Sequence, residues 1–577
     1  MKPEFEIQFY IQNNLQNIVF EKVFKNNSFE INTSVDENKI VAKINCFEKT
    51  KLKSFKCSID YNFEGNEQIY ANGFQSWTQT REFENNEKIN RFSFFSKIIN
   101  PFFQLNQYGD YKIFKDKISK GQIYGFDFAY IRNKNKIKLF KSEIPETLYT
   151  ILIFNRLQNK IDIYFDVEQL ELQNNIVIGD ISIIDTFANE LSKIFPKKQI
   201  EPIIGWTSWY NYYQNINEII IDENLEIFSQ NFPKGSIFQI DDGYQTAVGD
   251  WLSIDSKKFP NGLEPIVAKI HNKGYKAGLW LAPTAAQKNS TLVTEHPQWF
   301  VKDNKEKFIW GGANWGGFYV LDIFNIEVQD YLKKVFDTIL NKWNFDLVKL
   351  DFLYSSAIEP RQGYSRSQIM SKTMTFLRQI VRNKKILGCG VPLMQASEKV
   401  DYCRIGADMG LDWNGKFYEK WLHRERVSSF NSLNNTISRY FIDKSFFGND
   451  PDVFIIRDEN NKFTYDQKIT IYLINAIFGS LVFTSDNLNN YKNWHLKLIE
   501  NLNFFVKANV LQYSKINNLI FFSFIIDDKK YQAISNLSHK TQHLEFKTTQ
   551  IFNIFDLKFE NKKIESVKPY QTIIYER

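Results

Sequence analysis

From about residue 200 to 505 the chain repeats one pattern: a short apolar run, then an amphipathic helical stretch. This alternation restricts the fold more than any other feature, because strand–helix–strand units lay successive strands parallel in one sheet. The runs cover 202–209, 237–242, 276–282, 347–352, 386–390, 402–407, a poorly defined one near 438–447, and 480–484. Eight such units are enough to close a (β/α)8 TIM barrel. The longer insert 284–325, with its Trp and Gly residues, is expected as a loop over one barrel mouth.

Either side of this region the pattern changes. Segments such as 39–44, 55–61, 147–154 and 160–165 are rich in β-branched and aromatic residues, and Asn-, Gly- and Lys-rich turns separate them. That is the signature of a β-sandwich. Residues 186–195 read as helical. After a helix near 496–508, short strands resume at 519–525, 531–534 and 571–575. The expectation is a multidomain chain: an N-terminal β-sandwich over 1–190, a catalytic barrel over 191–507 and a C-terminal antiparallel β-domain over 508–577.

In a barrel of this kind, polar residues at the C-terminal ends of strands face the active site. Here those ends are acidic: Gln239-Ile-Asp241-Asp242-Gly243, Lys349-Leu-Asp351-Phe352 and Arg404-Ile-Gly-Ala-Asp408. One such Asp is ordinarily a helix cap. Three separate strands ending this way are poorly explained by capping. With Lys349, Arg404, Trp206, Trp209 and Trp280 they form a candidate catalytic mouth.

Composition narrows the chemistry. Eleven of the 12 tryptophans fall between Trp206 and Trp494, although core packing is the default role of any one of them. The net charge of +6 is spread along the chain without a basic block, so nucleic acid is not an expected partner. No run approaches the ~20 apolar residues that span a bilayer. The charged start, Met-Lys-Pro-Glu-Phe-Glu, does not resemble a signal peptide, and Cys46, Cys57, Cys389 and Cys403 form no disulfide framework. A cytoplasmic enzyme is expected, with no cofactor and no metal. The six histidines are read as lying on surfaces or helix ends.

Two carboxyl groups can cleave a glycosidic bond, and a retaining enzyme holds them ~5–5.5 Å apart. Asp351 and Asp408, on the fourth and sixth runs, could meet that geometry. Lys349, two residues before Asp351, would favour its ionised form. Which of the two is the acid does not follow from sequence electrostatics.

The motifs Lys349-Leu-Asp351-Phe-Leu and Arg404-Ile-Gly-Ala-Asp408 resemble those of glycoside hydrolase family 36, the α-galactosidases or melibiases. So do Gly205-Trp-Thr-Ser-Trp-Tyr, Gln239-Ile-Asp-Asp-Gly, Gly278-Leu-Trp-Leu-Ala-Pro, Gly388-Cys-Gly-Val-Pro, Asn449-Asp-Pro-Asp-Val and the N-terminal Asn72-Gly-Phe-Gln-Ser-Trp77. The resemblance implies a retaining exo-α-galactosidase acting on oligosaccharides of the melibiose or raffinose type, with Asp351 as nucleophile and Asp408 as acid/base. It implies that Asp241 and Asp242 bind the 4- and 6-hydroxyls, that Trp280 packs against C6, and that Lys349 donates on the O3/O4 side. Arg404 would serve the O2/O3 side, with Cys389 and Gly390 lining O2. The 72–77 element would be a sandwich loop reaching the site, with Phe74 where relatives often carry another Trp. Arg361 either orients the nucleophile region or lies on the surface, and Asp412 and Trp413 are either aglycone contacts or loop packing. Asn449–Asp452 is either a family element or a simple turn. An α-N-acetylgalactosaminidase and a transglycosidase on the same scaffold remain alternatives. The partner expected is a small α-galactoside, and oligomeric state is not legible.

Overall fold

The computed structural model describes residues 3–576 apart from 12–13, 85, 90–93, 104, 169, 173–174, 416–422 and 517. Up to Phe187 the chain builds two antiparallel sheets. One runs in the order Asn14–Phe20, Pro3–Ile11, Thr50–Asp60, Lys160–Phe165, Thr150–Asn155, Gln122–Phe126. Alternate residues of its strands are buried (Phe5, Ile7 and Phe9; Ile161, Ile163 and Phe165), as the two-residue period requires. The second sheet packs across that apolar face, with Phe29 against Phe9 at 4.9 Å and Phe140 against Phe154 at 5.7 Å. The helix expected over 186–195 shrinks to Leu191–Ile194, because the preceding strand, Ile176–Phe187, runs on paired to Lys136–Ser142.

The centre of the molecule is a curled parallel sheet. Its order is Gly448–Asp450, Tyr402–Arg404, Lys385–Gly388, Leu347–Leu350, Lys276–Leu281, Ile237–Ile240, Ile203–Thr207, Leu481–Thr484, Val453–Phe454. Most of these strands are buried along their whole length, as parallel strands covered on both faces must be. The two end strands are separated in the chain only by Pro451 and Asp452. Proline has no N–H to give a ladder, and Asp452 is left-handed (φ +76°), so one strand splits into two short pieces facing different neighbours. The run expected near 438–447 is not a strand: Ser429–Ser438 is α-helix and Tyr440–Ile442 a 3-10 turn, and the strand begins at Gly448.

Helices between strands are capped as their sequences suggest. Ser365 and Thr464 each form a reciprocal capping box with a glutamine three residues on, before Arg366–Val381 and Tyr465–Phe478. The insert expected as a loop folds as a three-stranded sheet, Ala285–Gln287, Phe318–Val320 and Trp310–Gly312, whose turn carries Trp315. Beyond Asn493–Phe505 a six-stranded sheet takes the chain to Tyr575. Trp413 packs on it at 4.9 Å from Tyr570 and donates to the Leu537 carbonyl, which makes it a packing residue. No helix of the described residues is long and apolar enough to cross a membrane.

Candidate active site

At the carboxyl ends of the parallel strands lies a cavity of about 290 Å³, near the small end of ligand pockets, which run roughly 300–1,000 Å³. Asp241, Asp242, Trp280, Lys349, Asp351 and Asp408 all line it. Trp280 and Lys349 are the last residues but one of their strands, and Asp241, Asp242 and Asp351 follow theirs. Asp408 lies four residues past Arg404, where pairing to Gly448–Asp450 has ended and Ile405 N–H donates to the Asp450 carbonyl.

Asp351 is buried. Its Oδ1 accepts from the Phe352 amide at 2.8 Å and its Oδ2 from the Trp280 indole at 3.1 Å. Burial pushes its carboxyl up; the charge of Lys349, the Trp280 N–H and the Cys389 thiol act the other way. Lys349 favours ionised Asp351 through its charge, as expected, while its ammonium makes its contact with Asp241 Oδ2 at 2.9 Å. Burial works to strip the Lys349 proton; Asp241 and Asp351 outweigh it and hold the pKa up. Asp241 is fixed further by Gln239 at 3.0 Å and by its own amide, which donates to Ser208.

Asp242 accepts from Gln245 (2.6 Å), Trp315 (2.8 Å) and Gln214 (2.9 Å). Burial raises its pKa, and these three donors oppose the rise. Phe352, the residue after Asp351, is left-handed (φ +54°), an uncommon conformation for an aromatic residue. Its ring closes the wall between Trp315 (4.8 Å) and Trp77 (5.2 Å).

Other expected residues stand apart. Arg404 lies behind the cavity, pairing with Asp408 at 2.9 Å, Asp450 at 3.2 Å and Asp452 at 2.8 Å. Cys389 is buried between Asp351 and the Trp77 indole, which donates to its sulfur at 3.3 Å. Gly390 is left-handed (φ +58°), and a Cβ there would stand 3.0 Å from Trp77. Trp206 faces away: it is fully buried, stacked on Phe238 at 4.4 Å, and donates to the Asp486 carbonyl. Phe74 also misses the cavity, because its ring is held edge-on by Phe126 and Tyr149. Trp77, three residues on, is the side chain of that loop that reaches in. Arg361 is not on the surface; it pairs with Asp322 at 3.1 Å and donates to the Ser356 carbonyl.

Sequence reasoning missed much of the opposite rim. Leu105, Tyr108, Asn314, His423, Glu425 and Val427 also line the cavity. His423 is therefore not a surface histidine, while His495 lies at a helix end, in the first turn of Asn493–Phe505, and is buried there. Glu425 accepts from Thr78 at 2.7 Å and from Tyr111 at 2.8 Å. Burial alone would raise its pKa, but His423, Thr78 and Arg424 bring it below the usual range. No motif connects these residues to the acidic wall, so nothing in the sequence marked them.

Residues 191–383 match the family model Melibiase. The match covers about a third of the chain. The α-galactosidase of Escherichia coli is 26% identical over 198 residues, 33% of this chain and 27% of that protein. Alpha-galactosidase 1 of Pediococcus pentosaceus is 28% identical over 185 residues, 29% and 24% of the two chains. The chain thus spans about a quarter of the length of the curated relatives it matches. Similarity of fold extends much further than the matched segment. TtGalA, an α-galactosidase from Thermus thermophilus solved with p-nitrophenyl α-D-galactopyranoside, superposes with a TM-score of 0.67 at 20% identity, over 88% of this chain and 98% of that one. A GH36 α-galactosidase AgaA variant from Geobacillus stearothermophilus, solved with 1-deoxygalactonojirimycin, gives 0.63 at 12% identity, over 97% and 82%. The matched segment contains Asp241, Asp242, Trp280, Lys349 and Asp351; Asp408 lies beyond it.

Proposed function

We propose that this protein is a retaining exo-α-galactosidase whose curled sheet is a (β/α)8 barrel, set between an N-terminal β-domain (1–190) and a C-terminal β-domain (508–577). The observation that carries the reading is the meeting of Asp351, Asp408, Asp241 and Asp242 with Lys349 in one small, Trp-walled cavity. Asp351 attacks the anomeric carbon while Asp408 gives its proton to the departing oxygen, and the carbon–oxygen bond breaks. A water then attacks the glycosyl–Asp351 ester, Asp408 takes the water's proton, and Asp351 leaves as a carboxylate. Asp242 and the Asp241–Lys349 pair face the sugar's hydroxyls, where an epimer with a misplaced O4 would leave a buried charge unpaired.

Against an N-acetylgalactosamine substrate stands the wall beside Cys389, already filled by Trp77. Incubation with melibiose or raffinose should release galactose, and NMR should show the α-anomer first. Initial release of β-galactose would mean a single displacement and would overturn the mechanism. Transfer to added sugars in preference to water would make the enzyme a transglycosidase.

A further inference from the structure

Asp452 lies outside the cavity lining, yet it touches the Asp408 segment from two sides. Its Oδ2 accepts from the Met409 amide at 2.8 Å, one residue past Asp408, and also from the Tyr210 hydroxyl, whose ring lines the cavity. Its Oδ1 stands 2.8 Å from Nη2 of Arg404, whose Nη1 holds Asp408 Oδ1 at 2.9 Å. Asp450 completes the arrangement, with Oδ2 on Arg404 Nε at 3.2 Å and Oδ1 accepting from the Asp452 amide at 2.8 Å. The left-handed turn at Asp452, forced where the strand splits after Pro451, is what aims its carboxylate back at the neighbouring strand.

We propose that Asp452 is a positioning residue for Asp408: it clamps Arg404 and the Met409 amide together, fixing the direction from which Asp408 meets the leaving-group oxygen. All its partners are buried or backbone, whereas the Asp408 side chain keeps 39% of its surface exposed and would otherwise swing on a loop. A displacement of about 1 Å in a proton donor can cost on the order of 100-fold in rate. Asp452→Asn removes the charge that draws in Arg404 while keeping an oxygen for Met409 and Tyr210.

This inference rests on Asp408 being the acid/base, so Asp408→Ala is measured alongside. Asp408→Ala should lower kcat/KM far more on melibiose, a poor leaving group, than on a nitrophenyl galactoside. Asp452→Asn should show the same signature at smaller size, roughly 10- to 100-fold on melibiose and under about 5-fold on the nitrophenyl substrate. In the double variant Asp452→Asn should add nothing to Asp408→Ala. Equal losses on both substrates, or additive losses in the double variant, would overturn the positioning role and leave Asp408 standing. Absence of leaving-group dependence in Asp408→Ala itself would instead remove the acid/base reading. Should Asp452→Asn fail to fold, Tyr210→Phe, which deletes one donor to the same oxygen, is held to the same criteria.

Discussion

Asp351 makes its strongest contacts with donors that favour a carboxylate, yet it is buried enough that its ionised form is poorly solvated. Under the proposed mechanism, a buried charge held by a few fixed donors is kept ready for an electrophile that will neutralise it. Asp351→Gly should therefore lower turnover by several orders of magnitude without loss of fold. Azide, small enough for the vacated space, should yield β-galactosyl azide from an activated donor. A verified clean variant retaining more than a few per cent of activity would end the assignment. Asp242 has three donors, two of them the side-chain amides of Gln214 and Gln245. Asp242→Asn should cost about 2–3 kcal/mol of transition-state binding, a 30- to 150-fold fall in kcat/KM on the α-galactoside. Comparable activity of the unmodified enzyme on the nitrophenyl α-glucoside would show that the acidic pair does not read O4.

Among elements, the loop 72–80 ties the N-terminal sheets to the cavity wall. Arg439 donates to the Ser76 and Ile405 carbonyls at 2.8 Å each, and Ser76 N–H reaches the Val391 carbonyl at 2.9 Å, so this outside loop is bolted to two strand ends. Trp77→Ala should lower kcat/KM on an α-galactoside by about 10- to 100-fold and raise the relative rate on the 2-acetamido analogue by opening the wall beside Cys389. An unchanged ratio between the two substrates would show that the indole sets no size limit there. The loop was legible as an element but not in its details. The period of the sequence cannot say which of Phe74 and Trp77 faces inward, since the turn is set by Thr78 and Thr80, and Gly73, whose Cβ would lie 2.5 Å from Thr78. Seven of the parallel strands and all four aspartates were readable because burial and chemistry both leave marks in a short run. Residues 448–454 were not: Asn, Asp and Pro are turn formers, and only pairing to two distant strands makes them sheet. His423 and Glu425 carried no local mark at all.

At the scale of the whole molecule, the N-terminal sheets and the parallel sheet meet over buried polar groups. Asp127 is one: its Oδ1 accepts from the Thr150 amide at 2.9 Å, its Oδ2 from Gln395 at 3.4 Å, and burial carries its pKa up to about 7. The folded state keeps this proton where an unfolded chain, with an ordinary aspartate near 3.9, has lost it. Stability from this group is thus full below about pH 4 and declines as pH rises to about 7. Asp127→Asn should accordingly shrink, without abolishing, the drop in Tm between pH 5 and pH 8; an unchanged drop would assign it to other groups. The split strand at Pro451 has a consequence in time. A ribosome adding about 5–20 residues per second needs roughly 20–90 s to reach it. Until then Asp241, Lys349 and Asp351 exist on a nascent chain whose Arg404 has neither Asp450 nor Asp452 to hold it. Synthesis therefore delivers the Asp241–Lys349–Asp351 wall of the cavity before the two carboxylates that hold Arg404, so under the proposed mechanism the acid/base side is the last part of the site to be set in place.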